Sequence, residues 1–242
     1  AAGDSTEDVE ITGHQEVLDS TSGEGEADVP PAATIAASLT RLGRNDRERL
    51  VSFAQRTAQL QGEHDEKMLA ALHEIRKLLA EGFRPIVFCR YVNTANYVFE
   101  VLASSLSGVT VECVTGELAD EERKSRVSAL AGTGKYVLVA TDCLSEGINL
   151  QEWFTAVLHY DLPWNPNRLE QREGRVDRFG QAAERVKTVL LHGQDNPIDG
   201  AVLNVLLRKA KKIHETLGIT VPLPADSETV MESVLKALYL KE

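Results

Sequence analysis

The chain has 242 residues, 43% of them apolar and 26% charged, with a formal net charge of −11. Its length and apolar content allow one sizeable domain with extensions, and no apolar run approaches the roughly 18 residues that a membrane span needs. No basic stretch followed by an apolar segment opens the sequence, so no signal peptide is read, no membrane is expected, and the cytosol is the expected compartment.

The acidity is unevenly placed. Residues 1–30 hold nine Asp and Glu and no Lys or Arg, so they supply −9 of the total −11 and leave the remainder nearly neutral. The overall sign therefore does not exclude a phosphate-bearing partner, which would need a local concentration of Lys and Arg. Residues 1–33 are rich in Gly, Ser, Thr and acids and reach Pro30-Pro31 with few large apolar groups. Such a segment cannot offset the entropy of ordering, and it reads as an acidic flexible linker or tail. A protein partner for this arm is a further expectation.

Residues 34–64 have helical composition and read as a helical extension. From Asp65 to Ala80, Leu69, Leu72, Ile75 and Leu79 recur near helical spacing, with Gly82 as a C-terminal cap and Pro85 preventing continuation. Ile86 to Cys89 is a short continuous apolar run, Asn93 to Leu106 reads as helix, and Val109 to Val114 as a second strand. The order then repeats, with a helix over Asp120 to Leu130 and strands over Tyr136 to Ala140 and Ala156 to Tyr160. A helix over Asn165 to Phe179 and a last strand over Val186 to Leu191 follow. Short apolar strands with helices between most of them predict an α/β fold, a parallel sheet covered on both faces. Ligands of such sheets gather at the carboxyl ends of the strands. Amphipathic patterns over Ile198 to Leu217 and Ser227 to Leu240 make residues 196–242 a C-terminal helical brace.

Two patterns are decoys. Gly132-Thr133-Gly134-Lys135-Tyr136 resembles a phosphate-binding loop, but Ala129 stands where its first glycine belongs, Tyr136 replaces the Mg²⁺-holding hydroxyl, and it precedes a strand. His64-Asp65-Glu66 is explained by acids at a helix start. Cys89, Cys113 and Cys143 sit in or beside apolar stretches and fit neither a disulfide framework nor a zinc pattern, and the six histidines show no ligand spacing. No metal site is expected.

The strongest signal is Gln171-Arg172-Glu173-Gly174-Arg175-Val176-Asp177-Arg178, followed by Phe179-Gly180-Gln181. Asn165 as N-cap and Pro166 as first helical residue start a helix that would carry Gln171, Arg175 and Arg178 on one face. Gly174 inside that helix costs about 1 kcal/mol against alanine, which predicts close packing against it. Two adjacent guanidiniums suit a ligand with several anionic oxygens, and phosphate is the natural one. An arginine face solvated or paired with Glu170, Glu173 and Asp177 is the competing reading. Thr141 to Leu150 leaves one strand end with hydroxyls and amides on which a phosphate backbone could rest, and Asp161 to Pro166 leaves the next.

Together these segments resemble the C-terminal RecA-like lobe of superfamily-two helicases, of the Swi/Snf-type ATPase group and its bacterial RNA-polymerase-associated branch. Phe88-Cys89-Arg90 resembles motif IV, Val139 to Leu150 motif V and Gln171 to Arg178 motif VI. Asp161-x-x-Trp164-Asn165-Pro166 and Phe179-Gly180-Gln181 carry the Swi/Snf likeness. The resemblance runs from Asp65 to Leu217 and implies a three-layer RecA-like lobe over residues 65–195. It implies that Arg175 and Arg178 are catalytic arginine fingers reaching the γ-phosphate of ATP. Gly147, Asn149 and Gln171 would lie near the nucleotide, while Arg90, Thr115, Gly116 and Thr141 would hold the nucleic-acid backbone. Glu146 departs from the Gly or Arg of many relatives, which leaves that position's contact open. The nucleic acid implied is double-stranded DNA. A separate N-terminal RecA-like lobe would supply lysine, Mg²⁺ and the catalytic acid, so this chain alone is expected to be inactive. A strand-separating RNA or DNA helicase of another branch and a non-catalytic RecA-like interaction module are the alternatives.

Overall fold

A computed structural model describes residues 43–144, 148–163 and 166–193 together with Asp199. The acidic segment 1–33, Gly147, Trp164-Asn165 and nearly all of the expected brace 196–242 lie outside the described residues. Five strands form one sheet: β1 (Pro85–Phe88), β2 (Val109–Val114), β3 (Lys135–Ala140), β4 (Ala156–His159) and β5 (Lys187–Leu190). Their order is β2-β3-β1-β4-β5, and every pairing is parallel. The helices are α1 (Arg44–Gln59), α2 (Glu66–Ala80), α3 (Val92–Ser105), α4 (Asp120–Ala129), α5 (Leu150–Trp153) and α6 (Pro166–Gly174).

Strand alternation builds the three layers. Side chains two apart along a strand share a face, so Val87 and Cys89 join Val137, Val139, Leu158 and Tyr160 on one side of the sheet. There they meet Met68, Ala71 and Ile75 of α2 and Val98 and Leu102 of α3. Ile86, Phe88, Leu138, Ala140 and Val157 face the other side, against Val127, Leu130, Leu144, Phe154 and Val176. Each fully buried Val, Leu, Ile or Phe contributes about 1.5–3 kcal/mol, so the central strands hold the fold by their continuous apolar character.

The boundaries of α2 follow from local chemistry. Asp65 accepts the Met68 amide at 2.9 Å as N-cap and also accepts the Tyr97 hydroxyl at 3.1 Å. At the other end, Gly82 takes φ 87°. The Phe83 amide then reaches the Leu78 carbonyl at 2.9 Å and the Gly82 amide reaches Leu79 at 3.4 Å, a Schellman closure that glycine adopts without strain. Helix α1, in the N-terminal extension, buries none of its residues, and its Leu50, Val51 and Phe53 are exposed. The glycine-rich decoy is a turn: the Thr133 amide and hydroxyl donate to the Leu130 carbonyl at 3.0 and 2.8 Å. Lys135 then enters β3 at its amino end, opposite the carboxyl edge of the sheet.

Candidate functional site

Register determines which residues meet. Phe88 pairs with Ala140 and His159, Ala140 with Val114, and His159 with Leu190, so these five close the sheet at one level. Ladder bonding continues one residue further, through Cys89 N–H to the Ala140 carbonyl at 2.8 Å and Tyr160 N–H to the Phe88 carbonyl at 3.0 Å. Thr141 N–H donates likewise to Val114 at 3.2 Å. Two residues past the paired level stand Arg90, Gly116, Asp142 and Asp161, which therefore line the carboxyl edge side by side.

This lattice separates the expected backbone-holding residues into two groups. Arg90 and Gly116 reach the partly exposed edge. Thr141 is 0% exposed and Thr115 5%, so both stand back from the surface, Thr141 within the ladder and Thr115 with its carbonyl accepting the Leu118 amide at 3.2 Å in the turn. The turn after β2 is fastened by Arg123. Its guanidinium donates to the carbonyls of Leu118, Gly116 and Cys143 at 2.8, 3.3 and 3.0 Å, joining the ends of β2 and β3.

The centre of the edge is Arg172. Its side chain is 1% exposed and forms a fork with Asp142, Nε to Oδ1 at 2.7 Å and Nη2 to Oδ2 at 2.8 Å. Nη1 donates to the Asp161 carbonyl at 3.2 Å, and the guanidinium lies 5.4 Å from the Phe88 ring centroid. Burial pushes the Asp142 carboxyl up, but the fields and hydrogen bond of Arg172, followed by Arg168 and Arg175, hold it below its ordinary value. Arg168 stands 3.5 Å from the same carboxylate. The competing reading, in which neighbouring helix acids pair the arginines, is thus replaced for Arg172 by a partner 30 residues away in the chain.

Helix α6 ends at Gly174, so the expected helix through Phe179 is corrected, and Arg175 and Arg178 do not share a helical face with Gln171. Val176 is fully buried in the second core cluster, and both its amide and that of Asp177 return to the Glu173 carbonyl, at 2.9 and 2.8 Å. Gln181 pins the following turn, donating to the Phe154 and Val176 carbonyls at 3.0 Å each. Gly174, a poor helix former, stands at the end of α6, and the Gln181 bonds hold the chain that follows. The expectation about Gly174 is corrected as well: a Cβ there would meet nothing within 4 Å, so the glycine marks the helix end and no close packing. The α6 stripe that packs inward is Leu169 and Arg172, continued by Val176, and its spacing was the available signal for a buried arginine.

Beyond the helix, Arg175 is partly exposed and contributes to the field at Asp142, while Arg178 is exposed. Neither is turned into the sheet interior. Gln171 is exposed on α6. Asn149 is exposed at the start of α5, its amide donating to Glu152 at 2.8 Å.

His159, also unnoticed in the sequence, is 0% exposed, with Nε2 3.3 Å from Glu173 and no partner for Nδ1 among the described residues. Burial above all, with the Arg172 charge, holds its pKa below 6.5, against the opposing pull of Glu173 and Asp142. The unfolded chain takes up this proton near the ordinary value and the folded chain only at lower pH, so stability present above pH 6.5 is lost as pH falls toward the folded value. Denaturation midpoints are expected to fall between about pH 7 and 5.5, and more shallowly in His159→Phe. Equal slopes in the two proteins would exclude His159 as the cause.

The profile described as "Helicase conserved C-terminal domain" matches residues 66–180. Over 82 residues the chain is 40% identical to an uncharacterized ATP-dependent helicase, YqhH, of Bacillus subtilis, covering 34% of this chain and 14% of that protein. It is 36% identical over 97 residues to the RNA polymerase-associated protein RapA of Sodalis glossinidius, covering 40% and 10%. It is 30% identical over 121 residues to the ATP-dependent RNA helicase dbp8 of Neosartorya fischeri, covering 50% and 22%. The chain thus spans less than a quarter of each of these relatives. Among solved structures, the C-terminal part of the Fun30 ATPase domain aligns with TM-score 0.52 at 15% identity, over 96% of this chain and 73% of that one. The Sulfolobus solfataricus SWI2/SNF2 ATPase core in complex with dsDNA aligns with TM-score 0.51 at 17% identity, over 98% and 48%. These structural likenesses bear on the fold, a RecA-like parallel sheet between helices. Residues 66–180, the sheet and the helices that carry the carboxyl edge, are thus what is similar to a helicase C-terminal domain.

Proposed function

We propose that this lobe is the second half of an ATP-driven translocase of Swi/Snf type acting on double-stranded DNA. The observation that carries the proposal is the turn after α6: Arg178 is exposed on a segment held by Val176 on one side and Gln181 on the other. A guanidinium carried on an anchored turn is suited to meet a phosphate presented by another body, because little loop ordering remains to be done at contact. Arg175 and Arg178 act as the arginine fingers toward ATP's γ-phosphate, with Gly147, Asn149 and Gln171 near the nucleotide. Arg90 and Gly116 receive the DNA backbone, and Thr115 and Thr141 shape the strand ends beneath them.

ATP sits between this lobe and an N-terminal RecA-like lobe, which supplies the phosphate-binding lysine, the Mg²⁺ and the catalytic acid. Charge developing on the transferred phosphoryl group is stabilised by guanidiniums that arrive only when the lobes close, which ties hydrolysis to movement. Residues 1–33 serve as an acidic linker or tail open to a protein partner, residues 34–64 as a helical extension and residues 196–242 as a brace, in the cytosol.

The 242-residue chain alone is expected to hydrolyse no ATP with any nucleic acid, as a phosphate-release assay would show; robust turnover by the pure chain contradicts the two-lobe arrangement. In the parent protein, duplex DNA should stimulate hydrolysis more than single strands do. The likeness to fungal RNA helicases favours a second reading, a strand-separating RNA or DNA helicase, and stronger stimulation by single strands would support it. A parent without a Walker lysine would leave the third reading, a non-catalytic interaction module.

A further inference from the structure

Asp161 makes three connections at the carboxyl edge. Its Oδ1 accepts the Lys67 ammonium at 2.8 Å, its Oδ2 accepts the Arg90 amide at 3.2 Å, and its carbonyl accepts Arg172 at 3.2 Å. The ladder between β1 and β3 continues to the Cys89 amide, so the Arg90 amide, next in the chain, bonds instead to the carboxylate of Asp161. Fixing that amide fixes the direction in which the Arg90 backbone leaves the sheet, and a charged acceptor makes the bond stronger than a neutral one. A carboxylate on a surface meant for phosphate would repel it. Here the negative charge is offset by Lys67, from the first turn of α2, whose ammonium also lies 4.4 Å from the Tyr160 ring centroid. The pair is neither buried nor fully solvated, with side chains 41% exposed for Lys67 and 22% for Asp161.

We propose that Asp161 is a positioning residue for nucleic-acid engagement: it holds the Arg90 loop in the posture that meets the backbone, with Lys67 masking its charge. The proposal rests on reading this lobe as part of a nucleic-acid motor. Its test is a titration of the full-length ATPase with a short mixed-sequence DNA duplex, following turnover in the wild type, Asp161→Ala and Asp161→Asn. Asparagine keeps an oxygen for the Arg90 amide and alanine does not. The duplex concentration for half-maximal turnover is expected to rise about tenfold in Asp161→Ala and less than about threefold in Asp161→Asn, with the KM for ATP changed less than about twofold. A merely structural role would move the KM for ATP in the same proportion, and that result overturns the proposal. So does a half-maximal concentration in Asp161→Ala close to the wild-type value, or an asparagine variant as impaired as the alanine one. A wild-type enzyme that duplex does not stimulate defeats the motor reading itself, and this is seen before any variant is compared.

Discussion

Replacing Arg172 by alanine is expected to destabilise the lobe by about 3–5 kcal/mol, the usual cost of removing one member of a buried ion pair. The guanidinium is 1% exposed and offers two short bonds to Asp142 and one to the Asp161 carbonyl, so its loss removes the link between the ends of β3 and β4. What remains is a carboxylate set in a site built for a cation, together with a cavity beside Phe88. Chemical denaturation of the 242-residue chain measures the effect. A double-mutant cycle with Asp142→Asn separates the pair's coupling from lost packing, since the second substitution should cost less once the first is present. The sign of the pH dependence follows from the depressed Asp142 pKa. The pair's stabilisation is present above the ordinary value of 3.8 and is lost as pH falls through the lower folded value, so the gap between wild type and Asp142→Asn narrows in acid. A change below about 1 kcal/mol in Arg172→Ala would show that water replaces the guanidinium and that the fork is not a keystone.

Arg178→Ala in the parent ATPase is expected to lower maximal turnover by about 10³-fold or more, the range associated with an arginine finger, with nucleic-acid affinity nearly unaffected. Arg178 is exposed, outside α6, and on a turn whose anchors are Val176 and Gln181. Its removal should therefore leave the fold intact, so that a loss of turnover would support the proposed inter-lobe contact. Turnover measured at saturating ATP and duplex, beside anisotropy with the same duplex, distinguishes this from a binding defect. Turnover within about tenfold of wild type would remove Arg178 from the transfer step. Gln181→Ala offers a related comparison, because it loosens the turn without touching the charge.

The sheet was legible for a simple reason. The central strands β1, β3 and β4 are buried on both faces and read as short apolar runs, and the edge strands β2 and β5 are marked by β-branched residues. Every strand boundary lies within a residue of the expected one. Helix α2 was equally legible, because Asp65, Gly82 and Pro85 act on their immediate neighbours. The helix expected through Phe179 was misread because Gln171, Arg175 and Arg178 have spacing that satisfies a helical face. The helix nevertheless ends at Gly174, and the chain beyond it is held by Gln181 bonds to the carbonyls of Phe154 and Val176. A glycine assigned to close packing stands at an open helix end instead.

The sequence by itself determined the elements, their order and the parallel α/β class, since these depend on local periodicity, capping and the covering of an apolar sheet. It also singled out the arginine-rich segment. Only the tertiary structure decided which arginine is the internal tie and which is turned outward. Strand register, a property of pairs far apart in the chain, brings Arg90, Gly116, Asp142 and Asp161 to one level and leaves Thr115 and Thr141 one step inside. Hydrogen bonds across 71 residues, such as Arg90 to Asp161, have no periodic trace in sequence and exist only once the sheet has closed.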